Sequence, residues 1–481
     1  MKKNNIFSNG KYSKQKNIFF ILIAFLIVII FYFAPTPAGL SHEGQVMIGI
    51  LIMAAFLWIT EPIPLAATGL IVMILQPILQ VRETKEVFSS FGNQAVFFLI
   101  GAFIIAAAIE KHGLHRRIAL KFLNFFKNNP RFFTLGIMIT CACLTFIMPE
   151  HGVAALFLPI IVSILIAMKV VPRQSNFGKV SMLAVAYGCS IGSLGTLIGG
   201  ARNPLAVGIL LEQTPPISIS FFEWMKYSMP IVIIAIPLVW IVLQFAFPIE
   251  IKDIAAAKKE INNQVNIAGK ISKNELLVLG ILVLTIFLWI LFSQPEFSQE
   301  FGQFYGLAVI AILGSMLLFI TGSISWKDVE KRVPWGIILL YGGAITLGLG
   351  IESSGAGRWI AEGILGLAGD NIFVVILAMI IFTVILTNIM SNVAAVAILL
   401  PIGLSIAYSL DINPLLAALL VALSGGLAFM FVISTPGNAI TYSSGYFSTK
   451  DLLKAGTLAN IICILVIFIV AIGYWVGILG I

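Results

Sequence analysis

Runs of about 20 apolar residues recur along the chain from Ile18 almost to its last residue, each long enough as a helix to cross the roughly 30 Å hydrocarbon core of a bilayer. Inside a bilayer every backbone N–H and C=O must find a partner within the protein, so only helices and closed β-barrels span it. A barrel strand reads as about ten residues of alternating polarity. Ile18 to Phe33 and Ala459 to Leu479 are continuous instead. The sequence therefore specifies an all-α polytopic membrane protein. With 59% hydrophobic and 10% charged residues it is not a water-soluble enzyme.

Apolar windows place helices near 18–33, 45–59, 63–79, 94–109, 180–210, 229–248, 274–293, 304–321, 335–351, 414–446 and 457–479. Two further runs are broken. Pro149, Glu150, His151 and Gly152 interrupt 132–168, and Thr387, Asn388, Ser391 and Asn392 interrupt 372–409. Polar groups at that depth survive only against protein or water, so each broken run reads as a re-entrant hairpin. The expected fold is about eleven transmembrane helices plus two hairpins, with the count resting on this hydropathy reading.

The formal charge of +8 is spread between the apolar runs, which excludes a nucleic-acid surface. With the N-terminus inside, 24 of the 29 Lys and Arg residues fall in segments on the cytoplasmic side, as short cytoplasmic loops require. The C-terminus is then outside and the protein a multi-pass component of the cell membrane. The Lys- and Asn-rich start lacks a small-residue cleavage site and reads as an uncleaved first helix. Cys141, Cys143, Cys189 and Cys463 lie in apolar runs without metal-ligand spacing and read as packing residues. Trp58, Trp326 and Trp335 fit interface anchoring, and Glu61 beside Pro62 reads as a helix-end residue.

Self-comparison finds a duplication at a spacing of 242. Ile109, Glu110, Gly113, Arg116, Ile118 and Ala119 recur as Ile351, Glu352, Gly355, Arg358, Ile360 and Ala361, and Leu158-Pro159-Ile160 recurs as Leu400-Pro401-Ile402. The first copy follows an inner loop and the second an outer one, so the copies are inverted. The expected organisation is an N-terminal segment and first helix at 1–44, a first repeat at 45–250, a cytoplasmic linker at 251–273 and a second repeat at 274–481. Inverted repeats with broken helices are the build of a secondary transporter, whose two orientations come from the symmetry.

Four breaks pair by the repeat: the hairpin tips 149–152 and 391–393, and the interrupted helices at Gly195 to Pro204 and Ser434 to Ala439. Gly and Pro there interrupt the helical ladder, freeing carbonyls that suit a small hard cation and helix N-termini that suit an anion. Arg202 is the single basic residue inside an expected span, where an isolated charge costs about 3 kcal/mol or more, so it needs a partner. Glu150 is the candidate.

Trp58 to Leu65 (Trp-Ile-Thr-Glu-Pro-Ile-Pro-Leu), Glu110 to Leu114, Val333-Pro334-Trp335 with Gly342-Gly343, and the paired tips and breaks resemble the divalent-anion/sodium symporter family, carriers of dicarboxylates, tricarboxylates and sulfate. The resemblance implies a homodimer in which a transport domain moves as an elevator against a scaffold. It implies anion binding between two tips carrying Ser-Asn-Thr, and sodium sites shared with the neighbouring breaks. Carried onto this chain, the substrate set is Glu150, His151, Arg202, Asn203, Ser391, Asn392, Val393, Thr435 and Pro436, and the sodium set is Thr196, Gly199, Ser391, Asn392, Ser434 and Asn438. The first tip departs from the pattern with Pro149, Glu150 and His151. The expectation is a carrier of small anions, dicarboxylates first, with no cofactor other than sodium as coupling ion and with the first sodium site altered. The alternatives are a sodium-independent exchanger or proton-coupled carrier using Glu150, His151 and Arg202, or a cation/proton antiporter of related build. No metalloprotease or serine-hydrolase motif is present, so the chain does not read as an enzyme.

Overall fold

The computed structural model describes residues 14–126, 129–294, 296–297, 304–368 and 371–481. Lys2, Lys3, Lys11 and Lys127, which the charge bias counts, lie outside them. Regular structure among the described residues is helical, and ten of the helices are long and apolar enough to cross a membrane. Two expected spans are shorter: Leu65–Ile78 and Leu307–Ile320 have 14 residues each. At about 1.5 Å per residue such a helix falls short of a full bilayer core. Each is followed by a residue in the left-handed region, Gln80 (φ 58°) and Gly322 (φ 67°), which ends the helical path.

The spacing of 242 carries over into the fold. It takes Leu65–Ile78 onto Leu307–Ile320, Gln94–Lys111 onto Trp335–Ser353, Leu114–Phe125 onto Ala356–Ala368, Pro130–Thr145 onto Ile372–Ile389 and Glu150–Ala167 onto Asn392–Ser409, within a residue or two at the ends. Gln80 and Gly322 are related by it, as are the capping residues Asn129 and Asn371 and the in-helix prolines Pro159 and Pro401. Expected spans 180–210 and 414–446 are each two helices, Asn176–Gly192 with Arg202–Leu211 and Pro414–Ser424 with Pro436–Tyr442.

Helices of one copy pack crosswise on helices of the other, in two crossings that the spacing relates. Leu65–Ile78 lies on Trp335–Ser353, and Leu307–Ile320 on Gln94–Lys111. Both crossings are backbone to backbone. A Cβ at Gly343 would overlap the Gly69 backbone, and one at Gly101 would overlap Ala311, the pair related by the same spacing. Small residues permit this approach, and interhelical dispersion then replaces the hydrophobic drive that lipid does not supply. The paired helices also exchange: Glu150–Ala167 packs on Pro436–Tyr442, and Asn392–Ser409 on Arg202–Leu211.

Segments assigned to one side by charge meet in space. Lys111 pairs with Asp328 at 2.9 Å and Arg332 with Glu110 at 2.7 Å. Arg117 pairs with Glu275 at 2.9 Å and donates to Ala268 O, Gly269 O and Lys270 O at 2.7–3.1 Å, holding the end of a helix, Ala255–Ala268, inside the expected linker. Lys179 pairs with Asp451 at 3.0 Å. Segments assigned outside also meet: Ser41 donates to Ser354 O, and Gln213 to Glu352 at 3.0 Å. One expectation fails. Trp58 is fully buried and donates to Leu65 O at 3.3 Å, so it is a core residue, whereas Trp326 is 57% exposed and fits the anchoring role. The Trp58 indole caps the turn that joins two packed helices, which puts it inside the bundle. The four cysteines are free, three of them buried.

Gly343→Ala is expected to cost about 1–3 kcal/mol, because helices in backbone contact cannot absorb an added methyl without moving. The midpoint of thermal unfolding in detergent should fall relative to Gly363→Ala, whose added methyl meets open space. An equal midpoint for the two variants contradicts the close crossing.

Candidate functional site

The two interrupted helices place their polar residues by the same internal hydrogen bonds. Asn203, fully buried in the first turn of Arg202–Leu211, donates through Nδ2 to Ser193 O at 2.8 Å and Thr196 O at 2.7 Å. Asn438, fully buried in the first turn of Pro436–Tyr442, donates through Nδ2 to Ala428 O at 2.8 Å and Phe431 O at 3.0 Å. Each amide thus reaches back ten and seven residues. In both cases the amide oxygen has no hydrogen-bond partner. A buried carbonyl oxygen left unsatisfied costs about 1–3 kcal/mol, so two at equivalent positions mark places where something else is held. This register differs from the earlier one: it relates the breaks by 235 residues, setting Arg202 opposite Gly437 and Ser193 opposite Ala428. Arg202, Asn203, Pro204, Pro436, Gly437, Asn438 and Ala439 were expected in unwound chain and lie instead in the opening turns of helices, while the breaks proper are 193–201 and 425–435. Proline is tolerated in a first turn because its missing N–H has no helical acceptor there.

The turn of each helical pair is tied to the break of its own copy. In the first, Thr196 Oγ1 donates to Phe146 O at 3.0 Å and accepts from Gly199 N at 3.2 Å, and Glu150 N donates to Gly199 O at 3.1 Å. Gly199 is required, since a Cβ there would press on Thr145 O. In the second, Asn388 Nδ2 donates to Leu427 O at 3.1 Å, and Met430 N donates to Asn388 Oδ1 at 2.8 Å. Thr387 Oγ1 lies 2.7 Å from Gly425 O and 2.8 Å from Asn392 Oδ1. One hydroxyl proton cannot serve two oxygens. An Asn392 amide turned end for end, with Nδ2 on the hydroxyl, satisfies all three groups and leaves its oxygen as the unpartnered atom. Ser391 caps Asn392–Ser409 by accepting from Ala394 N at 3.3 Å, and Thr435 caps Pro436–Tyr442 by accepting from Asn438 N at 3.1 Å. Ser434 Oγ donates to Phe431 O at 2.6 Å, in the same turn.

Arg202 joins the two copies. It is 1% exposed, donates from Nη2 to Ser193 Oγ at 2.9 Å and from Nε across to Ala422 O at 3.2 Å, and its guanidinium lies against Gly426, where an added Cβ would overlap it. The expected direct pair with Glu150 does not form. Glu150 and Arg202 interact electrostatically beside the Ser193 hydroxyl that both approach. The physical reason is that the guanidinium is drawn across to the Ala422 carbonyl, in the last turn of the helix Pro414–Ser424 that leads into the second break. Glu150 Oε2 is buried without a partner. His151 and Val393 occupy equivalent first-turn positions and are half-buried. Pro436 is the first residue of its helix.

The structure therefore brings together Glu150, Arg202, Asn203, Thr196 and Gly199 at one break and Ser391, Asn392, Ser434, Thr435 and Asn438 at the other. Sequence reasoning missed Ser193, whose hydroxyl accepts from Arg202 Nη2 and donates to Ser190 O at 2.7 Å, close to Glu150. It stands as one more serine in a Ser-Ile-Gly-Ser-Leu-Gly run, and only its place opposite Ala428 sets it apart. A separate cavity of about 460 Å³ borders the helix that Asn203 opens, with Pro204, Val207, Gln94, Ser220 and Glu223 among its walls.

A bundle of apolar helices with two mirrored breaks is the build of a membrane transporter. The chain belongs to the sodium:sulfate symporter family: the profile of that family's transmembrane region matches residues 14–481. It is 31% identical over 488 residues to a sodium-dependent dicarboxylate transporter, SdcS, of Staphylococcus saprophyticus, covering 96% of this chain and 93% of that protein. The SdcS of Staphylococcus aureus strain RF122 is 31% identical over 469 residues, covering 93% and 88%. Among solved structures, Neisseria gonorrhoeae MtrF, described with a class of antimetabolite efflux pumps, aligns with a TM-score of 0.59 at 12% identity over 96% of both chains. The Alcanivorax borkumensis YdaH transporter aligns with a TM-score of 0.52 at 12% identity, covering 96% of this chain and 98% of that one. These two likenesses concern the fold alone.

Ser193→Ala leaves Arg202 Nη2 without its partner and is expected to lower stability by about 1–3 kcal/mol. A double-mutant cycle with Arg202→Met, read from thermal midpoints in detergent, should return a coupling of about 0.5 kcal/mol or more. Additive effects contradict the contact.

Proposed function

We propose that this protein is a secondary active transporter of small carboxylate anions, dicarboxylates first, driven by sodium bound at the second break. The observation that carries the reading is the pair of buried asparagines, Asn203 and Asn438, held by the same bonds with their amide oxygens unpartnered. Uncharged oxygens from side chain and broken-helix backbone suit a small hard cation. At the second break the unpartnered Asn438 Oδ1, with Ser434 on the same turn and with Ser391 and Asn392 from the tip, supplies the ligands in this reading, without a fixed charge among them. At the first break Arg202 supplies a fixed cation where its counterpart is Gly437. Sodium binds at the second break, and the Arg202–Ser193–Glu150 group takes the place of a sodium ion at the first. The anion lies between the N-terminal turns of Glu150–Ala167 and Asn392–Ser409. The names of the staphylococcal relatives, sodium-dependent dicarboxylate transporters, support both cargo and coupling ion.

The repeats 45–250 and 274–481 are inverted and joined by the linker 251–273, with each helical pair entering and leaving on one side, the N-terminus cytoplasmic and the C-terminus outside. The clustering of Lys111, Arg117 and Arg332 with Asp328, Glu275 and Glu110 supports that orientation. The backbone-close crossings at Gly69–Gly343 and Gly101–Ala311 suit a rigid scaffold. The helical pairs with their breaks form the body that moves, as an elevator, within a homodimer.

The test is uptake of labelled succinate into proteoliposomes against sodium concentration. Asn438→Ala should raise the sodium concentration for half-maximal uptake by about tenfold or more, the loss of one bond to a charged group. Arg202→Ala should reduce uptake by about tenfold or more and alter the cation dependence. Full uptake with unchanged cation dependence in Arg202→Ala would refute the fixed-cation assignment.

A further inference from the structure

The first break carries both signs of charge and a surplus of acceptors. Its formal charges, Arg202 and Glu150, cancel. Its two unpartnered buried atoms, Glu150 Oε2 and Asn203 Oδ1, both accept hydrogen bonds, and Asn203 is fully buried. The serine that opens the second pair, Ser391, is replaced by Pro149, which has neither a hydroxyl nor an N–H. Arg202 directs Nη2 to Ser193 and Nε to Ala422 O. A carboxylate brought to this tip would face a carboxylate and an amide oxygen, and like charges at that range repel.

We infer that the cargo is a carboxylate carrying one negative charge, whose far end reaches the first break as a hydrogen-bond donor and meets Glu150 Oε2 and Asn203 Oδ1. A dicarboxylate is taken as its singly protonated form, and an amide-ended monocarboxylate is taken as it stands. The charge balance agrees. With one sodium at the second break and Arg202 offset by Glu150, the pocket has a net charge of +1 and neutralises a monoanion. The inference rests on the proposed carboxylate transport and specifies its cargo.

The titratable and charged groups around Glu150 are few. Arg202 shares Ser193 with it, His151 follows it on the same turn, and Tyr341 faces Arg202 from Trp335–Ser353. Lys179 on the packed helix Asn176–Gly192 is tied to Asp451. The packed helix Pro436–Tyr442 carries no Asp, Glu, Lys, Arg or His. The charged residues of Leu114–Phe125 and Ala255–Ala268 belong to the proposed cytoplasmic face, where Arg117 joins the two elements.

The experiment compares three labelled cargoes in proteoliposomes under a fixed sodium gradient: succinate, its monoamide, and its monomethyl ester, a monoanion with no donor at the far end. Succinate uptake should rise as external pH falls from about 8 to about 5, following the singly protonated species, since the negative charge of one carboxylate raises the pKa of the other above the ordinary carboxyl value. Monoamide uptake should be flat across the same range and exceed that of the ester by about tenfold, the worth of a hydrogen bond to a charged group. Glu150→Gln, which removes the negative charge, should gain succinate uptake at the alkaline end. If that variant does not fold, the wild-type comparison decides alone. Succinate uptake that falls with acidification while the monoamide is rejected overturns the inference, and so does monoamide uptake that itself varies with pH, which would place the titration on the protein. If none of the three is taken up, the carboxylate-carrier reading fails instead.

Discussion

Where a helix stops inside an apolar slab, its exposed N–H and C=O groups must be met by other parts of the protein, and this constraint shapes the whole centre of the molecule. Two helices stop here, at 193–201 and 425–435. Each break is closed by one asparagine that donates to carbonyls ten and seven residues behind it. Each is then buttressed by the turn of the adjoining helical pair, through Thr196 and Glu150 on one side and Asn388 and Thr387 on the other. Once the amide protons are spent on the backbone, the amide oxygens remain. The unpartnered acceptors that define the site are therefore a by-product of stabilising the breaks.

The two halves then diverge in charge. The second break is neutral, with hydroxyls, amides and backbone oxygens. The first carries a fully buried guanidinium, expensive in an apolar medium, and it is retained with hydrogen bonds into both copies and a carboxylate close by. Gly426 leaves space for it, because any side chain there would overlap the guanidinium. Arg202 thus ties the first break to the helix that leads into the second, and displacement of one break against the other must carry it along or break its bond to Ala422.

Much of this arrangement is legible in the sequence. The spacing of 242 that links Glu110 to Glu352 also links the helices, their capping asparagines and their in-helix prolines, because a duplicated chain keeps its local hydrogen-bond chemistry. The breaks announced themselves through Gly, Pro and Asn clusters, and Arg202 through its cost. The equivalence of Asn203 and Asn438 did not. The second copy has a shorter connection and a shorter preceding helix, Pro414–Ser424 against Asn176–Gly192, so the register moves from 242 to 235 before the breaks are reached. Ser193 and the missing Glu150–Arg202 ion pair were hidden for a related reason: hydrogen-bond partners nine residues apart or in opposite copies leave no local pattern. Trp58 was misplaced because a tryptophan beside Pro62 and Pro64 reads the same whether its indole meets lipid headgroups or, as here, the Leu65 carbonyl.

The central claim is that one sodium ion, held at the second break, drives the carrier because Arg202 with Ser193 and Glu150 occupies the equivalent place at the first. The most direct measurement is the coupling ratio, read in proteoliposomes clamped at zero membrane potential as equilibrium anion accumulation against the imposed sodium gradient. Accumulation rising in direct proportion to the gradient is the result the account predicts. Accumulation rising with the square of the gradient or more steeply would require a second sodium site and contradict it.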